Sequence, residues 1–251
     1  MPRGFGAFWR LAFGLNTPRQ QILGSELSGD VIAVGSAVRT FGFGDAVFGV
    51  LGSRLGAHIE HYCLREKSLL LHKPHNISYE LAAALAFGGM TALDFFRRAK
   101  LDAGERILIN GASGAVGSTT LQLEAHGGGD VTTVCSAGNA ALMSQLGYSR
   151  VLDYREIDFV GEGIRLDVTI VAVGNASHAR VSQALRSSGR FLLVVAARRE
   201  LLGAPWVTLR FGQRLIADPT AERADDLRTI VQMAEAGAFS PLIDTGALDE
   251  D

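Results

Sequence analysis

From residue 106 onward, short apolar runs alternate with stretches of helical spacing. Arg106-Ile107-Leu108-Ile109-Asn110 is followed by a helical pattern (Val116, Thr120, Leu121, Leu123) that stops at Gly127-Gly128-Gly129, and Val131 to Cys135 is apolar again. Carried along the chain, this alternation predicts strands over 106–110, 130–136, 150–153, 166–173 and 190–196. It predicts helices over 115–126, 139–146, 177–187 and 223–236, the last with Leu227, Ile230, Val231 and Met233 on one face and Gly237 at its end. Strands separated by helices argue for an α/β fold with a doubly wound parallel sheet, covered by helices on both faces.

The earlier residues differ in character. Gly29 to Gly35, Ala46 to Val50 and Gly56 to Leu64 read as short strands, with a turn at Gly42-Phe43-Gly44-Asp45. Such spacing predicts a small β-barrel or sheet. Residues 78–99 read as a helix capped by Ser78, with Glu80 in its first turn and a small, apolar, buried stretch from Ala82 to Leu93. The expected organisation is a β-rich part over 1–82, a nucleotide-binding domain over 83–236, and a return segment over 237–251.

Composition narrows the function classes. A hydrophobic content of 47% and a charged content of 20% are ordinary for a globular protein. The net charge is −2 and no basic face stands out, which argues against nucleic acid as a partner. Cys63 and Cys135 make no disulfide framework and are too few for a structural zinc lobe, so a reducing compartment, the cytoplasm, is expected. Met1 to Asn16 carries Arg3 and Arg10 without an acid, but Gly4, Gly6, Arg10 and Gly14 interrupt its apolar residues. It reads as mature structure rather than a targeting peptide. No run of about 18 apolar residues is present, so no membrane span is expected.

The turn Gly111-Ala112-Ser113-Gly114-Ala115-Val116-Gly117 carries the clearest chemistry. Set between a predicted strand and a predicted helix, it has the form of a dinucleotide-binding turn. Its glycines permit a tight turn, close approach of a pyrophosphate, and close packing of helix on strand. The phosphates would sit where the free N–H groups and dipole of a helix start favour negative charge. The end of the next strand, Val134-Cys135-Ser136-Ala137, lacks the acid that binds the ribose hydroxyls in NAD-specific proteins. Ser136 leaves room for a 2′-phosphate, favouring NADPH over NADH; alternatively, Ser136 only caps the following helix.

Several spaced segments together resemble the medium-chain dehydrogenase/reductase superfamily, in its zinc-independent quinone oxidoreductase-like branch. They are Gly24-Ser25-Glu26-Leu27-Ser28-Gly29 with Val34-Gly35, Val38, Phe41 and Gly44-Asp45-Ala46-Val47; Ala82-Ala83-Ala84 through Thr91-Ala92-Leu93; Asn110 to Gly117; Leu146-Gly147 with Val151-Leu152-Asp153-Tyr154; and Ala172-Val173-Gly174. The resemblance implies a Rossmann domain plus a partial GroES-like substrate domain, with the nicotinamide in the cleft between them. It implies that Thr91 faces the nicotinamide side and that Ser113, Ala115 and Val116 approach the pyrophosphate. Ser136 and Tyr154 match positions near the 2′-phosphate, and Val173 and Gly174 match positions along the ribose. It also implies a homodimer formed through an edge strand, here Gly212 to Ile216. Thr91 as plain helix surface and Tyr154 as a packing residue are the competing structural readings.

The chain departs from that family in places. Zinc-dependent relatives carry a His where this chain has Ser25, and a hydroxyl is a poor zinc ligand. A rival metal cluster of His58, Glu60, His61 and Cys63 would be split between the two faces of a strand, so no metal is expected. The Tyr-x-x-x-Lys pair of short-chain reductases is absent, and Gly111-Ala112-Ser113-Gly114 lacks the spacing of a hydrolase elbow. The basic residue that some quinone reductases offer to the 2′-phosphate is replaced around Gly138 and Asn139, and the family's frequent Asp is Val171. Both ends look short against the family, which reads as a fragment, a shifted start or a reduced variant.

The expected function is zinc-independent hydride transfer from NADPH to a quinone or an α,β-unsaturated carbonyl. His61 and Tyr62 are candidate proton donors by chemistry alone, beside solvent. The alternative is a nucleotide- or partner-binding fragment that has lost catalysis. A zinc-type alcohol dehydrogenase is the more distant alternative.

Overall fold

The computed structural model describes residues 21–125, 127–160, 163–194, 198–217 and 221–243 of the 251. The readings for Met1 to Asn16, for residues 195–196 of an expected strand and for the end of the return segment from residue 244 lie outside the described residues. Contacts divide the chain into two units between Ala86 and Phe87.

The first unit holds three antiparallel strands in the order β1-β2-β3: β1 (Glu26–Asp30), β2 (Ala46–Val50) and β3 (Leu69–His72). The central strand is the buried one, with Phe48 opposite Ser28 on one side and Leu71 on the other. Gly49 lets β3 approach, because a Cβ there would lie 2.1 Å from the Leu69 carbonyl oxygen. Before β2 the chain turns tightly: the Asp45 carboxylate accepts the Gly42 N–H (2.7 Å), and Gly44 takes a φ of +85°.

Two strand expectations in this unit need correction. The strand placed over Gly29 to Gly35 is Glu26–Asp30, and Ile32 and Val34 are exposed beyond it. The strand placed over Gly56 to Leu64 does not form. Leu55 (φ +55°) and Gly56 (φ +104°) turn the backbone left-handed twice in succession, and His58 to Glu60 follow as a bend. The third strand is instead Leu69–His72, three leucines and a histidine, a run too short for its pattern alone to distinguish strand from helix.

The helix α1 (Tyr79–Ala99) contains the division between the units. The Ser78 hydroxyl accepts the Leu81 N–H at 3.3 Å, as an N-cap should. The second unit follows: β4 (Arg106–Asn110), α2 (Ala115–Glu124), β5 (Asp130–Cys135), α3 (Ala140–Gln145), β6 (Val151–Asp153), β7 (Leu166–Val171), α4 (His178–Val181), β8 (Leu185–Leu193), α5 (Arg198–Phe211), β9 (Arg214–Ile216) and α6 (Ala224–Glu235). Its six strands are parallel, in the order β6-β5-β4-β7-β8-β9. This is a mixed α/β, doubly wound sheet. Successive residues of a strand point to opposite faces, so Leu108 joins one core with Val134 and Phe191 while Ile107 and Ile109 join another with Val168 and Ile170.

Two further readings change here. The helix expected over 177–187 is the single turn His178–Val181, and Leu185–Leu193 is already strand. The polar run Arg186 to Ser188 hides that strand's outer half, where pairing with β7 shifts register between Leu166 and Val168. The helix Arg198–Phe211 was not expected, since it has Pro205 inside it and exposes Trp206 and Leu209.

Candidate functional site

In a parallel sheet every strand ends on the same edge. That places Gly111 (after β4), Ser136 (after β5), Tyr154 (after β6) and Val173 (after β7) along one carboxyl edge. The order reverses at β4: the chain proceeds outward to β5 and β6, then crosses back to β7. Open α/β sheets bind ligands at such a switch point.

The glycine turn is built by close approach. Gly111 takes φ +85°, and a Cβ there would lie 2.7 Å from Val173 Cγ1, so the ends of β4 and β7 touch. Gly117 sits under the turn, where a Cβ would fall 2.2 Å from the Gly111 carbonyl oxygen. Gly114 is the extended N-cap of α2, and Ser118 N–H makes the first intrahelical bond back to its carbonyl (2.8 Å). The N–H groups of Ala115, Val116 and Gly117 therefore precede that first bond, at a start where Gly114 and Ala115 are exposed. Ala112 is buried beneath them. Gly88 of α1 approaches the same start, with a Cβ there 2.8 Å from the Ala115 carbonyl oxygen. Thr91 lies one turn further on, 2% exposed, on the helix face that packs here.

Side-chain bonds tie the edge together. Asn110, 1% exposed, donates through Nδ2 to Asn175 Oδ1 (2.8 Å), and Ala172 N–H donates to the Asn110 carbonyl (2.9 Å). Thus the turn through Val173 and Gly174 (φ +66°) is fastened to the end of β4. Asn139 Nδ2 donates to Ser113 Oγ (2.9 Å), joining the glycine turn to the segment after β5. The Asp153 carboxylate accepts the Ala137 N–H (3.1 Å) and the Arg155 N–H (2.9 Å). Burial, and secondarily the Asp153 charge, push the Cys135 thiol up. Tyr154 is exposed, and the Arg155 guanidinium lies 5.7 Å from its ring centroid.

Two cavities lie elsewhere. One of about 820 Å³ in the first unit is lined by Leu27, Val31, Val38, Phe41, Tyr62 and Tyr79, among others. His61 also lines it, while the Tyr62 hydroxyl donates to the Leu55 carbonyl (3.4 Å). A second, of about 160 Å³, opens at the amino ends of β4 and β5 beside Arg106 and Asp130, away from the carboxyl edge. Among the described residues, no three His, Cys, Asp or Glu side chains lie close enough to hold a metal ion. The strand-face argument about His58, Glu60, His61 and Cys63 lapses, because that segment is not a strand.

A family profile described as zinc-binding dehydrogenase matches residues 146–250. A chloroplastic quinone-oxidoreductase homolog of Spinacia oleracea is 29% identical over 221 residues, covering 82% of this chain and 67% of that protein. The solved quinone oxidoreductase of Coxiella burnetii matches with a TM-score of 0.79 at 23% identity, covering 95% of this chain and 74% of that one. Together these matches support a quinone-oxidoreductase-like protein of the medium-chain dehydrogenase/reductase superfamily. A chloroplastic NADPH-dependent alkenal/one oxidoreductase of Arabidopsis thaliana is 26% identical over 237 residues, 91% of this chain, which spans 58% of that relative's length. Oxidoreductases of this superfamily use nicotinamide cofactors. Among the described residues, no helix is long and apolar enough to cross a membrane.

Sequence reasoning did not single out Asn175, Asp153 or Arg155 as site residues. Asn175 and Arg155 are ordinary loop residues by pattern. Their neighbourhood arises from parallel pairing, in which Asp153 stands opposite Cys135 and Val171 opposite Asn110.

Proposed function

We propose that this superfamily member is a zinc-independent, NADPH-dependent reductase acting on quinones or α,β-unsaturated carbonyls. The observation that carries the reading is the carboxyl edge itself: a glycine turn and an open helix start set beside the point where strand order reverses. A dinucleotide fits there sterically and electrically, since the glycines leave no side chain over the helix start and the exposed N–H groups suit a pyrophosphate. When bound, the nicotinamide supplies the hydride.

The chain's own residues would hold and orient it. Gly111 to Gly117 cradle the pyrophosphate through backbone N–H groups, with Ser113 held in place by Asn139. Ser136 and Tyr154 face the adenosine ribose, and Val173 and Gly174 line the other ribose. Thr91, on the buried face of α1, shapes the nicotinamide side. Solvent would return the proton; Tyr62 and His61, the other candidate donors by chemistry, belong to the first unit. NADPH is favoured over NADH because the end of β5 carries Ser136 rather than an acid, and the Arabidopsis relative is named for NADPH. Zinc-independence rests on Ser25 in place of an imidazole ligand.

The edge strand β9, with exposed Trp206, Leu209 and Phe211 on the adjoining α5, would pair with a second copy to form a homodimer. Free Cys63 and Cys135 fit a reducing cytoplasm.

The test is to mix the protein with NADPH, follow nicotinamide fluorescence for binding, and then follow NADPH oxidation on adding a simple quinone or enone. Saturable binding with acceptor-dependent oxidation is expected. Binding without turnover would replace the reductase reading with that of a nucleotide-binding protein. Absence of binding would refute the site.

A further inference from the structure

Resting on the NADPH reading above, we propose that Arg155, folded over Tyr154, is the cation that recognises the 2′-phosphate of NADPH and sets the preference over NADH. A dianionic phosphate at the end of β5 needs a cationic partner, and charge-assisted bonds are the strong ones. The segment directly after β5 offers none: Ala137, Gly138 and Asn139 are uncharged, and Asn139 is occupied by Ser113. The neighbouring strand supplies the charge instead.

The geometry follows from one carboxylate. β6 pairs in parallel with β5, with Asp153 opposite Cys135 and Tyr154 N–H donating to the Cys135 carbonyl (3.3 Å). Asp153 then accepts N–H groups from both sides, Ala137 after β5 and Arg155 after β6. It thereby fastens the Ala137 and Arg155 backbones to each other, and its own charge is spent on two backbone donors. Asp153 is a positioning residue in this scheme.

The Arg155 guanidinium is available. Among the described residues, no carboxylate pairs with it, and the nearby Asp158 is engaged by Arg180 at 3.0 Å. Stacking on Tyr154 limits its rotamers without consuming its N–H donors, so less freedom is lost when it meets a phosphate. Tyr154, Arg155 and Ser136 together give an aromatic face, a guanidinium and a hydroxyl at one strand-end cluster. That combination suits an adenosine ribose bearing a phosphate better than one bearing two hydroxyls. Glu156 is the exposed acid beside it in sequence, and it opposes an anion until a cation offsets it.

The experiment measures dissociation constants for NADPH and NADH by fluorescence, and for 2′,5′-ADP and 5′-AMP by calorimetry. The proteins are wild type, Arg155→Ala and Arg155→Lys, each at low and high salt. Losing a bond to a charged group predicts that Arg155→Ala weakens NADPH and 2′,5′-ADP roughly 10- to 100-fold, with NADH and 5′-AMP within about twofold. Arg155→Lys should recover part of the loss, and added salt should narrow the NADPH-to-NADH ratio in wild type more than in Arg155→Ala. Equal weakening of both nucleotides, or a wild type that binds NADH as tightly as NADPH, overturns the assignment while the dinucleotide site stands. Binding of neither nucleotide by wild type overturns both.

Discussion

Gly117 and Gly114 stand three residues apart in one turn, and the structure gives them opposite jobs. A methyl at Gly117 would meet three backbone atoms: the Gly111 carbonyl oxygen at 2.2 Å, Ala112 Cα at 2.8 Å and the Gly111 carbonyl carbon at 2.9 Å. No flexible side chain can yield there, so α2 must lift from the turn. Overpacking costs about 1–3 kcal/mol, and a backbone clash belongs at the upper end. The better helix propensity of Ala returns about 1 kcal/mol. For Gly117→Ala the net loss is about 2 kcal/mol, or roughly 4–8 °C in Tm at this chain length. At Gly114 the nearest atom to an added methyl is the Gly111 oxygen at 3.5 Å, and φ is −78°. Gly114→Ala should cost less than about 1 kcal/mol of stability. It would nevertheless put a methyl on the exposed helix start, forcing an anion outward. Losing one charge-assisted bond there costs about 1.5–3 kcal/mol, roughly a 10- to 100-fold rise in Kd for NADPH. The assay pairs thermal unfolding with NADPH fluorescence titration. The reasoning is refuted if Gly117→Ala melts with wild type, or if Gly114→Ala is the less stable variant and binds NADPH normally.

Asn110→Ala removes the buried donor to Asn175 and should lower stability by about 1–2 kcal/mol in urea titration, with several-fold weaker NADPH binding as the turn after β7 loosens; unchanged values for both would show that the bond does not position the turn. Glu124 is 3% exposed, and burial, with the Glu105 charge adding to it, holds its pKa above the ordinary 4.5 despite the bond from Gly129 N–H. The folded state therefore binds its proton more tightly than the unfolded chain, and stability falls as pH rises from about 4.5 through the raised value. Glu124→Gln, which can still accept from Gly129, should gain Tm relative to wild type at neutral pH and lose that gain near pH 4; a pH-independent difference would contradict the assignment. Arg97 bridges Asp94 and Asp226, joining α1 to α6. Because Arg97 is partly exposed, Asp226→Ala should cost only about 1 kcal/mol by chemical denaturation, and a loss several times larger would mean that the bridge is not screened.

What could be read from the sequence depended on whether pattern and pairing coincide. The middle of β4 is an uninterrupted apolar run buried on both faces, so Ile107 to Ile109 announced a strand without knowledge of its neighbours, and β5 and β7 are buried runs rich in β-branched residues. β8 did not, because its first half, Arg186 to Ser188, is polar and exposed while its backbone still belongs to the sheet. In the first unit, the segment 56–64 has the composition of a strand, but two successive left-handed residues veto it, and Leu55 gives no warning of φ +55°. At the site, the glycine turn was legible because its chemistry is local. The pairing of Asn110 with Asn175, and the bond from Ala137 N–H to Asp153, join residues far apart in sequence. They exist only through strand register, which hydrophobic periodicity does not specify between parallel neighbours.

Charged groups are placed differently at the two edges of the sheet, and the difference supports the proposed anion site. At the amino edge the cations are largely neutralised: Arg186 meets Asp167 at 2.5 Å, Arg190 meets Glu105, and Arg106 lies 3.9 Å from Asp130. Glu124 is also buried at that end, beside Gly129. A phosphate arriving there would have to displace a carboxylate from its partner, at the cost of leaving that acid unpaired. At the carboxyl edge the arrangement is reversed. The strand-end acid, Asp153, already accepts two backbone N–H groups, the start of α2 presents donors, and Arg155 stacks on an aromatic ring instead of a carboxylate. Strand direction alone would place loops at either edge. The placement of acids thus leaves backbone donors and the Arg155 guanidinium without a carboxylate partner among the described residues at the edge where strand order reverses, which is the arrangement the proposed anionic dinucleotide requires.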